Sequence, residues 1–395
     1  MFKKVLLVIL LIFALSAGAG YFFFKNAPQN FNQIFVLEIY DKIKENYWEN
    51  LSDAQILELF RLSLKADKIQ TREDLAKIAA KISKEQAVTV SKEVLASLAP
   101  TGRSGLFTQK QEIALKNTVE NINPEKDLYK DLGLAKGASE EAVKKAYEKM
   151  PEELKKDKTI IYAKDVLSKE DQKKRYDEKG VEPAVFTKLA TPEILYLQFK
   201  KFTPTSLDEF QKALEAYQGS SNLQALILDL RGNVGGAIDA TAYFLGFFLG
   251  KGQYGFDFYK KGEYLPFKTQ TDKLAVVNKF KQMVILVDNN TQSSAEMMAA
   301  SLKKYHTGVV VGTPTKGWGT VERVFPLQTQ IDPAEKYSVF LVHSITLRDD
   351  NLPIEGRGVE PDININAANW QNQLFSYFRN PELTLAVKQA LLNLP

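Results

Sequence analysis

Residues 225–236 read ALILDLRGNVGG, and this stretch decides the fold. Its apolar first half predicts a buried β-strand, which runs into Asp229 and Arg231 and then into a glycine-lined turn. Glycine lets backbone N–H groups come close to a reacting oxygen, as an oxyanion hole requires. Taken alone, the stretch predicts a buried strand followed either by an ordinary turn or by part of a catalytic site.

A second strand and turn precede a helix in residues 284–302, VILVDNNTQSSAEMMAASL. Ser293 and Ser294 stand at the start of this predicted helix, where unpaired N–H groups and the helix dipole favour negative charge. A serine at this position is most often a helix cap. Farther along lie residues 309–322, VVVGTPTKGWGTVE, and residues 354–363, IEGRGVEPDI.

In their order and spacing, these four segments resemble the core of the C-terminal processing (tail-specific) serine peptidases, an S41-type core. The family's segments read LDLRGNPGG, SASASEI, TFGKG and GKGIEPDI, and here they stand as LDLRGNVGG, TQSSAEM, TKGWG and GRGVEPDI. The resemblance covers roughly residues 186–365. It implies an α/β (α+β) fold with helices packed on a mixed sheet, and a serine-type peptidase that hydrolyses polypeptides.

The resemblance also implies roles for particular residues. The nucleophile of the serine-rich segment falls on Ser293, and the N–H groups of Gly235, Gly236 and Ser294 would hold the oxyanion. A serine hydroxyl needs a base, which in this family is a lysine kept neutral by burial. This chemistry calls for no cofactor and no metal ion.

The sequence departs from the family at that base. Trp318 occupies the lysine position, Lys316 the aromatic position, and Glu322 the position of a supporting glutamine. Tryptophan has no basic lone pair and cannot accept the proton. Either Lys316 reaches Ser293 from two residues away, or the chain is a catalytically inactive pseudopeptidase that binds polypeptides. A carboxylate at Glu322 opposes the first alternative, because it would favour a charged lysine.

The two histidines offer a third kind of base. His306 follows the serine helix, and His343 lies farther along the chain. The sequence places no carboxylate partner beside either of them. We therefore interpret both as surface or packing residues.

Composition excludes several other classes of protein. The 395 residues carry 52 Lys+Arg against 48 Asp+Glu, and this formal charge of +4 predicts no nucleic-acid surface. The absence of cysteine rules out disulfides, thiolate metal sites and cysteine catalysis.

The N-terminus predicts a membrane segment within residues 1–25. Lys3 and Lys4 precede an uncharged apolar run over residues 5–24, and a helix of this length spans about 30 Å, the thickness of a bilayer core. The positive flank predicts a cytoplasmic N-terminus and an extracytoplasmic body. Small residues at positions 16–20 leave the alternative of a cleaved signal peptide and a secreted protein.

The remaining regions read as helical. Residues 26–120 carry apolar stripes of a helical N-terminal region, and residues 366–395 form a predicted C-terminal helical tail. Where the family usually has a PDZ peptide-binding domain, residues 126–180 instead resemble a J-domain, in DLYKDLGLAKGASEEAVKKAYEKM and DVLSKEDQKKRYDEKG. The His-Pro-Asp tripeptide of J-domains falls on Lys155, Lys156 and Asp157, so no co-chaperone activity is expected. We interpret this insert as a helical replacement for the PDZ domain that docks a protein partner or shapes access to the groove; the alternative is a charged helical hairpin that serves as a spacer.

Together these features predict a membrane-anchored, extracytoplasmic serine endopeptidase. Its substrates would be unfolded or C-terminal polypeptide segments, with Ser293 as the nucleophile and Lys316 as a displaced base. The alternative is a pseudopeptidase that acts as a polypeptide-binding or scaffold protein.

Overall fold

The computed structural model describes residues 30–348 and 350–392. The predicted anchor or signal segment in residues 1–25 lies outside these ranges. Within them, no helix is both long and apolar enough to cross a membrane. The chain divides into two compact units. The described residues up to Glu45, Leu51–Leu106 and Phe325–Val339 form the first, and Asn46–Asn50, Phe107–Val324 and the chain from Phe340 onward form the second.

The first unit is mainly helical. Three of its helices begin at capping boxes, in which Ser52, Thr71 and Ser83 exchange hydrogen bonds with the third helical residue. Phe35 and Ile39 of the predicted apolar stripe are fully buried. The helices are α1 (Phe31–Asn46), α2 (Asp53–Leu64), α3 (Arg72–Ala79) and α4 (Lys84–Ser97).

The insert folds around a local apolar core. Leu128, Val143 and Val166 are fully buried in one cluster, and the Tyr176 hydroxyl accepts a hydrogen bond from the Leu128 N–H at 3.0 Å. The relation of the insert to J-domains stays a prediction. After β1 (Gly105–Thr108) and α5 (Gln109–Glu120), its helices are α6 (Leu128–Asp131), α7 (Glu140–Glu148), α8 (Lys158–Leu167) and α9 (Glu170–Lys179).

After the insert, the chain alternates strands and helices. Its elements are β2 (Val185–Thr191), β3 (Ile194–Phe199), α10 (Ser206–Glu215), β4 (Ala225–Asp229), α11 (Thr241–Leu249), β5 (Tyr254–Lys260), β6 (Glu263–Lys268), β7 (Gln282–Val287), α12 (Ser294–Lys304), β8 (Val309–Gly312), β9 (Thr320–Pro326), β10 (Tyr337–Leu347), β11 (Ile363–Asn364), α13 (Trp370–Phe378) and α14 (Pro381–Leu392).

The main sheet contains six of the described strands, in the order β11–β8–β7–β4–β3–β2. Neighbours are parallel except for the antiparallel pair β2–β3. Both faces are buried, because Leu226 and Leu228 of β4 belong to one apolar cluster and Ile227 to another. In a second sheet, β5 pairs antiparallel with β6 and with β10. The mixed α/β core expected from the sequence is confirmed.

The parallel pairing of β4 and β7 brings the two motif turns together. Asp229 at the end of β4 lies in register with Leu286 of β7, so both turns leave the same edge of the sheet. The Asp288 carboxylate accepts hydrogen bonds from the N–H groups of Gly232 and Thr291, each at 2.9 Å. The candidate catalytic residues follow directly from this junction.

Candidate active site

Ser293 stands at the N-terminal end of α12 in a backbone conformation that is rare for serine. Its φ is 57° and its ψ is −125°, and such angles cost about 1–3 kcal/mol unless the surroundings impose them. Its N–H donates a hydrogen bond to Glu296 Oε2 at 2.8 Å. The resulting sharp turn from strand to helix is an arrangement in which catalytic nucleophiles are often presented.

The Glu296 carboxylate is fully buried and joins this turn to a second loop. Besides the Ser293 N–H, it accepts hydrogen bonds from Thr315 Oγ1 at 2.5 Å, Gly317 N at 2.7 Å and Trp318 N at 2.8 Å. Burial raises the pKa of Glu296, and these donors oppose that shift. The side chain therefore fixes the backbone of the loop that carries both candidate base positions.

Gly235 packs directly against the nucleophile. A β-carbon at this position would lie 2.7 Å from Ser293 Cβ and 3.0 Å from Ser294 N, and the residue has a φ of +81°. The adjacent Gly236 lies so close to Phe202 that a β-carbon there would be 2.0 Å from its carbonyl oxygen. Glycine at both positions allows the turn to lie against the start of α12.

The backbone donors of the predicted oxyanion hole differ in availability. The Gly235 N–H donates to Asn233 Oδ1 at 2.9 Å and is therefore engaged inside its own turn. Among the described residues, the N–H groups of Gly236 and Ser294 form no hydrogen bond. The Ser294 hydroxyl donates to the Gly236 carbonyl at 3.3 Å, which keeps the two residues adjacent. Gly236 and Ser294 thus supply the free donors, and Gly235 supplies the close fit.

A buried ion pair lies within the first motif, between the end of β4 and its glycine turn. The Arg231 guanidinium donates to Asp229 Oδ2 at 2.6 Å, with the two side chains 7% and 0% exposed. The Tyr196 hydroxyl donates to the same oxygen at 2.6 Å. Arg231 also donates to the Ala390 carbonyl at 2.8 Å. These charged residues of the first motif have a structural role.

The two candidate base positions lie on either side of the Glu296 contacts. The Lys316 N–H donates to the Thr291 carbonyl at 2.9 Å, two residues before the nucleophile, and the Lys316 side chain is exposed. Trp318 is half-buried, and its indole N–H donates to Glu322 Oε1 at 3.1 Å. That these two residues stand at the family's lysine and glutamine positions stays a prediction from the sequence.

Neither histidine belongs to this arrangement. Within residues 30–348 and 350–392, neither imidazole forms a hydrogen bond with Ser293. His306 is exposed beyond the C-terminal end of α12. The Nε2 atom of His343 lies 2.6 Å from Lys260 Nζ, and burial together with the nearby cations lowers the pKa of His343 to about 4. In the part of the chain that the structure describes, no group of His, Asp and Glu side chains could hold a metal ion.

Some residues that shape the site were not assigned a function from the sequence. The sequence alone predicts no role for Glu296, Thr315 or Asn233. An acidic residue three positions into a helix is the pattern of a capping box, which is a signal that sequence reading can use. The role of Thr315 had no such signal, because its partner lies 19 residues away.

Comparison with known proteins identifies the family that part of this chain resembles. Residues 193–365 match the model of peptidase family S41. The carboxy-terminal-processing protease of Bartonella bacilliformis is 26% identical over 175 residues, which are 43% of this chain and 38% of that protein. The carboxy-terminal processing protease CtpA of Bacillus subtilis is 28% identical over 180 residues, 45% of this chain and 36% of that protein. The chain thus spans less than half the length of these curated relatives.

Solved structures support the same fold at low sequence identity. A photosystem II D1 C-terminal processing protease superposes with a TM-score of 0.53 at 15% identity, covering 85% of this chain and 93% of that chain. A lipoprotein from Streptococcus agalactiae gives a TM-score of 0.50 at 14% identity, covering 89% and 97%. Residues 193–365 thus carry the S41-type core that the sequence resemblance predicted; the S41 family consists of serine peptidases, and the relatives of this chain within it include C-terminal processing proteases.

Proposed function

We propose that this chain is a serine endopeptidase in which Lys316 replaces the usual lysine as general base. The observation that carries this proposal is the hydrogen bond from the Lys316 N–H to the Thr291 carbonyl at 2.9 Å. It holds the backbone of Lys316 beside the segment that leads to Ser293. Among the described residues, the Lys316 amine forms no hydrogen bond with Ser293, and we propose that the flexible four-carbon stem of the lysine brings its amine to the serine when a substrate is bound.

The proposed reaction is acyl transfer. The Ser293 hydroxyl oxygen attacks the carbonyl carbon of the scissile peptide bond while its proton passes to the neutral Lys316 amine. The N–H groups of Gly236 and Ser294 hold the oxyanion, and Gly235 keeps them in place. The proton then passes to the leaving amine, and water releases the acyl group from the serine. A polypeptide lying over Lys316 would exclude water and favour the neutral amine that the step requires.

The proposed substrates are unfolded or C-terminal polypeptide segments. The relatives' names describe C-terminal processing, and this is the support for extending such substrates to the present chain. The apolar run over residues 5–24 supports a membrane anchor with the body on the extracytoplasmic side. Extraction of membranes at alkaline pH would test the anchor, because a secreted or peripheral chain would leave the membrane fraction.

A pseudopeptidase is the second candidate, and one observation favours it. The indole N–H of Trp318, which the sequence aligns with the family's lysine, is bonded to Glu322, and Lys316 is exposed. A chain with this arrangement would bind polypeptides through the preserved turn without cleaving them. With either candidate function, the insert of residues 126–180 would serve as a docking site for a protein partner.

Mass spectrometry of an unfolded protein substrate near pH 8 tests the proposal. The full chain in detergent is compared with its Ser293→Ala and Lys316→Ala variants. The control is Lys251→Ala, which replaces an exposed lysine in the turn after α11. We expect cleavage by the wild type and the control, and loss in both site variants. Loss in the serine variant alone would mean that another group is the base. Binding without cleavage by the wild type would establish the pseudopeptidase.

A further inference from the structure

A cavity of about 350 Å³ lies between the insert and the main sheet, apart from the Ser293 turn. One of its walls is a face of α8, formed by Lys158, Ile161, Tyr162 and Asp165. These residues follow the i, i+3, i+4, i+7 spacing that places side chains on one side of a helix. The insert therefore builds half of this cavity.

The opposite wall is one face of the β2–β3 hairpin. Phe186 of β2 pairs with Gln198 of β3, and Lys188 pairs with Tyr196, so these side chains project to the same side of the sheet. All of them line the cavity, together with Lys200 just beyond β3. Two elements that are far apart in the sequence thus enclose a site with both aromatic and charged walls.

The charges that line the cavity are predominantly positive. Asp165 is a carboxylate among the lining residues, and it pairs with Lys164 at 3.0 Å. The lysines of the lining are Lys158, Lys169, Lys188 and Lys200. A partly enclosed site with this lining attracts anions, because water there screens the positive charges less than bulk solvent does.

Lys200 is the cation best placed to hold an anion. Its Nζ lies 4.9 Å from the centre of the Phe186 ring and 5.2 Å from that of Tyr162, and within the described ranges it forms no ion pair. The Glu182 carboxylate, whose charge also acts on Lys200, is bonded to Lys126 and to the Tyr162 hydroxyl. Burial and the charge of Lys126 lower the pKa of Lys200. A bound carboxylate would relieve this unfavourable position of the ammonium group.

The cavity is also connected to the catalytic turn. Phe202, two residues after Lys200, donates its N–H to the Gly235 carbonyl at 3.0 Å and accepts from the Ala237 N–H at 2.9 Å. Two extended residues span about 7 Å. The chain segment that carries Lys200 therefore continues directly into the residue that contacts the catalytic turn.

We propose that this cavity binds the C-terminal carboxylate of a polypeptide, with Lys200 as the principal cation and the aromatic walls around the last side chain. The assignment rests on the proposed function, because that function makes a polypeptide the ligand. The carboxylate of an aspartate or glutamate side chain shares the same chemistry. A test must therefore separate a chain terminus from an acidic side chain.

Fluorescence anisotropy on the full chain in detergent tests the assignment, using the Ser293→Ala variant so that no cleavage occurs. The probe is a labelled decapeptide of glycine and serine that ends in valine with a free carboxylate. A charge-assisted contact predicts at least about tenfold weaker binding for the same peptide with an amidated terminus. A third peptide carries an internal glutamate and an amidated terminus, and it should bind as weakly as the second.

The matched variants are Lys200→Met and Lys201→Met in the same background. Burial lowers the pKa of Lys201 as well, but its side chain does not line the cavity. We expect the Lys200 variant to lose the preference for the free terminus, Lys200→Arg to keep most of it, and the Lys201 variant to bind as the parent does. Thermal unfolding establishes that each variant is folded.

Several outcomes would overturn the assignment. They are equal binding of the free and amidated peptides, an unchanged preference in the Lys200 variant, or equal loss in the Lys201 variant. Tight binding of the peptide with the internal glutamate would mean that the cavity binds acidic side chains and not a chain terminus. Because binding is measured without cleavage, a chain that binds the free terminus but never cleaves would refute the peptidase and leave the cavity's role intact.

Discussion

The close fit of Gly235 against the nucleophile can be tested by adding one methyl group. In Gly235→Ala the new β-carbon would lie 2.7 Å from Ser293 Cβ and 2.9 Å from the Gln292 carbonyl oxygen, both far inside normal contact distance. The positive φ of +81° costs alanine about 1–2 kcal/mol, and overpacking costs about 1–3 kcal/mol more. The expected loss in the free energy of unfolding is therefore about 2–5 kcal/mol.

Gly252→Ala separates the two contributions. Gly252 has the same φ of +81°, and no atom lies within 4 Å of the position of its β-carbon. This variant should lose only the backbone contribution of about 1–2 kcal/mol. Urea titration of both variants and the wild type gives the difference, which isolates the contact with Ser293.

The rate of peptide cleavage provides a second measurement on the Gly235→Ala and Gly252→Ala variants. If the wild type cleaves, a displacement of Ser293 by about 1 Å should slow cleavage about 100-fold in Gly235→Ala, whereas Gly252→Ala should cleave at the normal rate. Equal destabilisation of the two variants, or unchanged cleavage by Gly235→Ala, would refute the contact between this glycine and the nucleophile.

Three further predictions concern the base, the ion pair and pH. Adding Trp318→Lys to the Lys316→Ala variant should raise the rate of cleavage at least about 100-fold, because it returns a base to the family's position. Product analysis that shows no gain over Lys316→Ala would contradict this prediction. Urea titration of Arg231→Ala should show a loss of about 3–5 kcal/mol in the free energy of unfolding, because the variant leaves the buried Asp229 carboxylate without its cation. Arg348→Ala breaks a more exposed pair of the same sequence spacing, and its loss should stay under about 1 kcal/mol. The stability of the fold should fall as pH drops from about 6.5 towards about 4, because the imidazole of His343 takes up a proton at a higher pH in the unfolded chain than in the folded one. Thermal unfolding of His343→Gln should show a shallower decline over this pH range, and a decline identical to that of the wild type would contradict the prediction.

Strand ends and turns could be predicted from the sequence because their signals are local. The apolar run before Asp229, the glycines after it and the serines before α12 each lie within a few residues of the feature they specify. The parallel pairing of β4 with β7 then brings these turns together, as the motif order suggested. The roles of Ser293, Gly236 and Ser294 remain predictions whose geometry is consistent with the sequence reading.

The polar contacts between distant segments could not be predicted in the same way. Glu296 gathers donors from the loop of residues 315–318, and nothing in the local pattern of either segment specifies their pairing. The engagement of the Gly235 N–H by Asn233 depends on a side-chain rotamer. Lys200 acquires its aromatic neighbours from the insert and from β2, so only the folded chain shows the cavity.

The contacts of Glu296 explain how the family's base could move without loss of the fold. The carboxylate binds the backbone N–H groups of Gly317 and Trp318 and the hydroxyl of Thr315, none of which depends on the side chains at positions 316 and 318. The backbone path of the loop is therefore independent of which of these two positions carries the lysine. An exchange of lysine and tryptophan changes the chemistry of the site while its scaffold persists. Trp318→Lys also removes the indole N–H that donates to Glu322, so Trp318→Lys combined with Glu322→Gln would separate the effect of the base from that of the supporting residue.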